Sequence, residues 1–542
     1  MTNKKQNQKE DPKDDGYQPY MPGIEDLVRE IFRSESIKTL KEFDTDKESM
    51  YLYQQPRMNI LTGELTNPST AGIYGRGEPE IKVIAERTYK KKIEEIMELC
   101  AKLSAELPDG SKDDPYAELG YKLNRKLIHD GISHHEITEV MQNIRRKTFV
   151  DRKTMNPDGF IPLKYGLLSL KDWKLYKFNP DRFFTWKAYG TYDPSIRSLN
   201  DTPLFKKFLM ESYPPKSVQT LLDYMGYALY PSFPRQKILV IVGPPRMGKG
   251  TIANIMEKIL NDGFGRISLM KLLILDNKFS LQGIEGKRLL VDTEIKREFK
   301  KNADFDVINS LFGGDPLPLE KKYHAEITYI AKSAGLLIGN LPLFRVDNSA
   351  FLSRLLITST RGKMDFKEVP NMADIIFNAE GDKIVSLLLN RLKSLIQRDF
   401  KFSNELTNDE YAELWGMLSD STQAFLDDRM VDASTDSDVD EAYKRYEEFC
   451  NEKGIPPESK HVFTFRVGRI YPKKRVKTEG KLHYSFTGCK VQTMLELQKE
   501  TEEMKHKREM KKEEARVREE RVNQRAGEAL NEIDDTSDDQ EL

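Results

Sequence analysis

The chain has 542 residues, of which 38% are hydrophobic and 32% charged, and its net charge is −1. That length supports roughly two to four folded units with sizeable cores, and the charge balance excludes a wholly basic coat protein while permitting locally basic surfaces. Three scattered cysteines, Cys100, Cys450 and Cys489, exclude a disulfide framework or a cysteine-rich zinc module, and neither a signal peptide nor an apolar run of about 20 residues is present, so a soluble chain in a reducing cytoplasm is expected, without a membrane partner.

In chain order, residues 1–44 read as a leader that is polar and disordered at its start. Residues 45–210 read as a mixed α/β N-terminal domain, with helical apolar spacing over 82–107 and strand formers over 161–170 and 183–192. Within 211–405, from residue 221 to about 395, apolar strand-like runs alternate with amphipathic helices, the pattern of a parallel sheet covered by helices. Residues 406–440 predict a helical connection and then a linker over 427–440, rich in Asp, Ser and Thr; residues 441–491 predict helix, helix and two short strands, which suit a winged helix. Residues 492–542 are rich in Glu, Lys and Arg and close on Asp534, Asp535, Asp538, Asp539 and Glu541, predicting a charged helix and an acidic disordered end. The expected class is α/β, with a parallel-sheet unit between an α/β N-terminal domain and a C-terminal winged helix.

The parallel-sheet unit becomes a P-loop motor candidate after the apolar run Ile238 to Val242, at Gly243, Pro244, Pro245, Arg246, Met247, Gly248, Lys249, Gly250 and Thr251. A helix with Ile252, Ile255, Met256 and Ile259 on one face follows. Strand, glycine loop and helix form the context in which backbone N–H groups and a helix N-terminus cradle a triphosphate, with Lys249 on its β and γ phosphates. Gly250 stands where Ser or Thr commonly holds magnesium, so Thr251 is the metal candidate. The same loop pattern occurs in nucleotide kinases, so by itself it leaves open both phosphoryl transfer to a nucleotide and ATP-driven movement.

A second apolar run, Leu289 to Val291, ends in Asp292, Thr293 and Glu294, with Asp292 the candidate for metal and Glu294 for the attacking water. A third, Leu336 to Ile338, ends in Gly339 and Asn340, whose amide would sit beside the γ-phosphate. Arg354 precedes a fourth run, where a guanidinium could cross a subunit boundary to stabilise charge in a neighbour's transition state. Between the second and third runs, Phe312 to Asp315 predict a turn and Lys321, Lys322, Tyr323 and His324 a basic hairpin suited to holding phosphates.

Near the carboxyl end, Tyr443, Tyr446, Phe449 and Cys450 mark the buried face of one helix, and Ser459 can cap a second carrying Lys460, His461, Arg466 and Arg469. Lys473, Lys474, Arg475, Lys477 and Lys481 flank a turn at Gly480, and Leu482, Tyr484 and Phe486 alternate in strand fashion. A wing touching DNA phosphates has this composition.

Taken in order, these segments resemble superfamily 3 helicases, in particular the phage, plasmid and poxvirus primase-helicase branch. The likeness extends over residues 45 to about 490 and includes FNPDRFFTWKAYGTYDPS from Phe178. It implies an AAA+-like hexameric ring using ATP and magnesium, with Lys249, Asp292, Glu294 and Asn340 acting in cis, Arg354 in trans, and Lys321, Lys322 and His324 at DNA. The implied function is a replicative DNA helicase of a virus, phage, plasmid or integrated element, moving 3′ to 5′ on single-stranded and forked DNA beside a separate primase or polymerase. The chain before the helicase-associated domain is too short for a primase domain, so no primase activity is expected. Two rivals stay open: an origin-duplex-binding initiator that is switched by nucleotide but does not unwind, and an adenylate-kinase-like nucleotide kinase.

Overall fold

The computed structural model describes residues 19–41, 48–60, 62, 64–107, 114–273, 284–295, 305–319, 327–340, 343–344, 346, 348–361, 369–455, 457–478, 481–492 and 496. The chain forms two units that meet at Glu413 and Leu414.

Helix α1 (Ile24–Ser34) begins where the Asp26 carboxylate accepts from the Gly23 N–H, and it buries Leu27, Val28 and Ile31. Those side chains share one core with Ile81, Ala85 and Tyr89 of the long helix α2 (Glu78–Ala105). Strands β1 (Ile37–Lys41), β2 (Glu48–Tyr53) and β3 (Tyr74–Arg76) form an antiparallel sheet in that order. Part of the stretch expected as a leader is therefore ordered: it supplies α1 and β1, because its apolar residues have a helix face to cover. Helices α3 (Pro115–Arg125) and α4 (His134–Thr148) follow, the latter started by a reciprocal Ser133–Glu136 capping box. A second antiparallel sheet contains β4 (Phe160–Leu163), β5 (Gly166–Ser169) and β6 (Leu175–Tyr176).

Residues 183–192, expected to be strand-rich, are irregular. Phe183, Phe184 and Trp186 enter three separate apolar clusters. Their bulk serves burial without a ladder, and strand propensity cannot distinguish the two.

Next come α5 (Pro203–Ser212), α6 (Pro215–Tyr227), β7 (Ile238–Val242), α7 (Lys249–Leu260), β8 (Phe264–Arg266) and α8 (Leu269–Leu272). The chain continues through β9 (Leu289–Ile295), α9 (Asp306–Gly313), the antiparallel pair β10 (Pro316–Leu319) and β11 (Ile327–Ile330), β12 (Ala334–Gly339), α10 (Ser349–Leu352), β13 (Leu355–Ser359) and α11 (Met372–Gln397). Five of these strands form one parallel sheet in the order β13-β7-β12-β9-β8. The architecture is thus α/β, as the alternation predicts. The central strands β7 and β12 are buried along their whole length, which explains why they read as unbroken apolar runs. Ile252, Ile255, Met256 and Ile259, the expected apolar face of α7, are all fully buried, each transfer being favourable by about 1.5–3 kcal/mol. Helices α6 and α11 are joined by the buried Asp223 carboxylate, which forms an ion pair with Arg391 at 2.9 Å and accepts a hydrogen bond from Arg398 at 3.1 Å.

Helix α12 (Asn408–Ser419) spans the boundary between the units, and α13 (Ser421–Arg429), β14 (Met430–Asp432), β15 (Ser437–Asp438), α14 (Val439–Lys453), α15 (Lys460–Val467), β16 (Lys473–Thr478), β17 (Lys481–Phe486) and β18 (Cys489–Val491) complete the second. Residues 427–440, expected as a linker, carry the end of α13 and two short strands: Met430 pairs with Val491, and Asp438 caps α14. Polar composition concealed pairing partners 47 to 61 residues away. The core of this unit is aromatic, with Tyr446 stacked on Phe463 at 4.6 Å and Phe425 edge-on to both. Among the described residues, no helix is long and apolar enough to cross a membrane.

Candidate nucleotide site and nucleic-acid surfaces

Strands β7 and β12 are neighbours in parallel register, with Gly339 opposite Val242, so the residues that follow them, Gly243 and Asn340, emerge side by side at the carboxyl edge of the sheet. The loop from Gly243 curls back through positive φ at Gly243 (152°), Arg246 (65°) and Gly248 (76°), and Gly248 caps α7. Lys249, the first residue of that helix, is buried beneath the loop. Its ammonium donates to the carbonyls of Gly243 at 2.7 Å and Pro244 at 2.6 Å, and to Asn340 Oδ1 at 2.9 Å. All three acceptors are neutral. Burial with neutral partners disfavours the charged form, and the Lys249 pKa is pulled down from its usual value to about 8.

The loop's floor comes from residues that the sequence reading passed over. Thr360, directly after β13, donates its N–H to Val242 at 2.9 Å, and its hydroxyl fills the space that a Cβ on Gly243 would need. Phe208 and Ser212 crowd the corresponding space at Gly248, 2.6 and 3.0 Å from where a Cβ would stand, and Tyr213 donates to the Gly248 carbonyl at 3.3 Å. Arg361 ties its N–H to Ser212 and its Nε to Met210 at 3.0 Å, locking the α5–α6 turn against the end of β13. These supports come from segments before and after the loop in the chain, and no local pattern announces them.

At the end of β9, a bulge opposite β12 fits three residues' advance against two: Leu337 pairs with Asp292 and Gly339 with Ile295. The extra residue breaks the alternation, leaving Asp292 buried and both Thr293 and Glu294 exposed. Asp292 is held by two backbone donors, Leu269 N at 2.7 Å and Glu294 N at 3.0 Å, while Glu294 faces solvent. Among the described residues, no group of three or more His, Cys, Asp or Glu could hold a metal alone. Magnesium ordinarily takes one or two protein oxygens together with phosphate and water. Asp292, oriented and retaining lone pairs, and the half-buried Thr251 on the first turn of α7 fit that donor set.

Arg354 lies at the opposite edge. Its carbonyl accepts from Ile238 N at 2.7 Å, so it sits where β7 begins, and five strand residues, roughly 15 Å, separate that end from the loop. One guanidinium nitrogen donates to the Ala350 carbonyl at 2.6 Å. Within one chain, the structure does not bring Arg354 to Lys249. Lys321, Lys322 and His324 fall between β10 and β11, outside the described residues.

In the second unit, Arg466 is held at 2.6 Å by Asp420 and at 3.6 Å by the largely buried Glu458, and Lys460 pairs with Asp440. Arg466, expected at DNA, is thus engaged in joining α15 to the start of α13. Arg469 and the β16 residues Lys473, Lys474, Arg475 and Lys477 are exposed, with the Lys473 ammonium 4.6 Å from the centre of the Tyr484 ring.

One protein family, described as a family of unknown function (DUF5906), matches residues 241–354, the stretch from the phosphate loop to Arg354. No curated protein matches the chain. Among solved structures, the apo NrS-1 C-terminal region is similar at 10% identity, over 85% of this chain and 98% of that one, with a TM-score of 0.34. An inhibitor-bound JCV helicase is similar at 12% identity, over 41% of this chain and 65% of that one, with a TM-score of 0.24. Likenesses this distant carry no weight for the site, whose reading rests on its own geometry.

Proposed function

We propose that the chain is an ATP-hydrolysing DNA helicase that works as a ring on single-stranded DNA, in the manner of superfamily 3 motors. The observation carrying this reading is the meeting of Lys249 and Asn340, 91 positions apart in sequence, at 2.9 Å under a glycine loop. A lysine on the triphosphate and an amide beside it couple phosphate state to the adjacent strand end. In this reading the loop amides and Lys249 bind the β and γ phosphates, and Thr251 and Asp292 hold magnesium, which neutralises phosphate charge when bound. Exposed Glu294 orients the attacking water, and Asn340, already bonded to Lys249, responds to the γ-phosphate. Arg354, far from its own loop, serves a neighbour's, which makes hydrolysis depend on a homo-oligomer. The domain limits expected from the sequence, with a helicase-associated N-terminal domain before the motor and a winged helix after it, belong to the same proposal. So does DNA contact by the exposed cations of β16.

Strand displacement on forked DNA, measured beside ATP hydrolysis, tests it. ATP-dependent unwinding with DNA-stimulated hydrolysis is expected; DNA-bound assembly without unwinding would favour the initiator, and phosphate transfer to a nucleoside monophosphate would favour the kinase.

The depressed Lys249 pKa predicts how nucleotide affinity varies with pH. The lysine is charged below about 8, and triphosphate stabilises the charged form, so binding takes up a proton above that pH. Affinity for ATP should be level from pH 6.5 to about 8 and then fall, by up to about tenfold per pH unit. Calorimetric titration in buffers of different ionisation enthalpy measures both the affinity and the proton uptake. Affinity that stays level to pH 10 would refute the assignment of Lys249 to the phosphates.

A further inference from the structure

At the amino edge of the parallel sheet, remote from the phosphate loop, the turn entering β9, the residues following β11 and residues 151–156 enclose a cavity of about 450 Å3. Five of its ten lining residues are cationic and one, Asp151, is acidic. The cations are held in different ways. Arg288, 2% exposed, donates to the Lys332 carbonyl at 2.5 Å, and Lys287 donates to the Asp262 carbonyl at 2.7 Å, both neutral acceptors. Arg152 is paired with Glu285, and Lys332 with Asp158 at 3.4 Å. Lys153 is exposed and makes no ion pair among the described residues. Counting the two carboxylates outside the lining that pair with these groups, five positive charges face three negative ones.

A partly enclosed wall with a net excess of one sign focuses potential and draws a counter-ion. Met155 and Ile330, the latter 54% exposed, add an apolar surface to the same wall. An anionic group attached to a flat apolar body meets both demands, and a cavity of this size accommodates a small ligand.

We propose that this cavity binds a nucleoside phosphate, delivered as one unit of a single nucleic-acid strand. The strand as source rests on the helicase reading, because Ile330 and Lys332 lie on and just beyond β11, the return strand of the hairpin expected at DNA. Phosphate meets Lys153, Lys287 and Lys332, and the base lies on Met155 and Ile330. The site would hold strand at the base of the hairpin, independently of the nucleotide cycle at the other edge of the sheet.

The test uses the full chain with Lys153→Gln/Lys332→Gln, two exposed lysines of the cavity, against Lys171→Gln/Lys177→Gln, two exposed lysines elsewhere, with thermal midpoints checked for all. Binding of fluorescein-labelled oligothymidylate is followed by anisotropy across a salt series. The cavity pair should weaken binding by about tenfold at low salt and flatten the slope of log affinity on log salt by about 1.4, the value for two lost phosphate contacts on a single strand, and the control pair should do neither. If the wild type binds no oligothymidylate, the helicase reading fails. A fluorescent ATP analogue bound by Lys249→Ala protein, and released by adding the cavity pair, would then assign the cavity to free nucleotide. Oligothymidylate bound equally by the cavity and control pairs overturns the inference and leaves the helicase reading standing. So does the absence of any cavity-dependent binding with both probes overturn the inference.

Discussion

Lys249→Ala is expected to lower ATP turnover by at least about 100-fold, the scale on which removing a single preorganised charge-stabilising donor acts. The lysine is buried, and the groups around it are the Gly243 and Pro244 carbonyls and Asn340, so no other cation takes its place in those three bonds. Loss of turnover must occur with the fold intact, and the thermal midpoint measured on the same samples decides that. Asn340→Ala provides a second reading: it leaves the ammonium in place but removes the amide that links β12 to it, so turnover should fall less than in Lys249→Ala while nucleotide binding persists. Full hydrolysis by Lys249→Ala protein would place the chemistry elsewhere in the chain.

Arg354→Ala should reduce turnover by about 1,000-fold or more, as expected for an arginine supplied in trans, yet leave ATP binding to the single chain unchanged. The reason is positional. Arg354 stands at the amino end of β13 and Lys249 beyond the carboxyl end of β7, so one chain cannot use both on the same phosphate. Mixing Arg354→Ala with Lys249→Ala protein is the decisive measurement. In an equal mixture, about one quarter of head-to-tail interfaces unite an intact Lys249 with an intact neighbouring Arg354. Hydrolysis should return to roughly that share of the wild-type rate, whereas no recovery over the sum of the separate mutants would refute the trans role.

The cations of the second unit show how far side-chain identity leads by itself. Arg466 and Arg469 look alike in sequence, as basic residues on or just after a capped helix, yet Arg466 is bound by Asp420 and Glu458 while Arg469 is exposed. Partners 46 and 8 positions away decide between them, and charge patterning contains no such information. Burial is more legible: of the four residues expected on the inner face of α14, Tyr446, Phe449 and Cys450 are buried and Tyr443 is half-buried.

By itself the sequence determined whatever is encoded over a few consecutive residues. Strand β7, the glycine loop and the apolar face of α7 form one contiguous run whose periodicity and missing side chains leave few alternatives, so that Lys249 and Thr251 could be named directly. The same applies to the α/β class, which follows from apolar runs alternating with amphipathic helices, and to the strand ends that present Asp292 and Asn340. Tertiary structure decided what depends on pairing across the chain. Strand order β13-β7-β12 set Asn340 against Lys249 and put Arg354 at the far edge; the β9 bulge buried Asp292 and turned Glu294 outward; Thr360 and the α5–α6 turn supplied the loop's floor. The physical reason is one of range. Backbone conformation and amphipathicity are local properties, whereas register, ion pairing and the filling of space beneath a glycine exist only after distant segments have packed together.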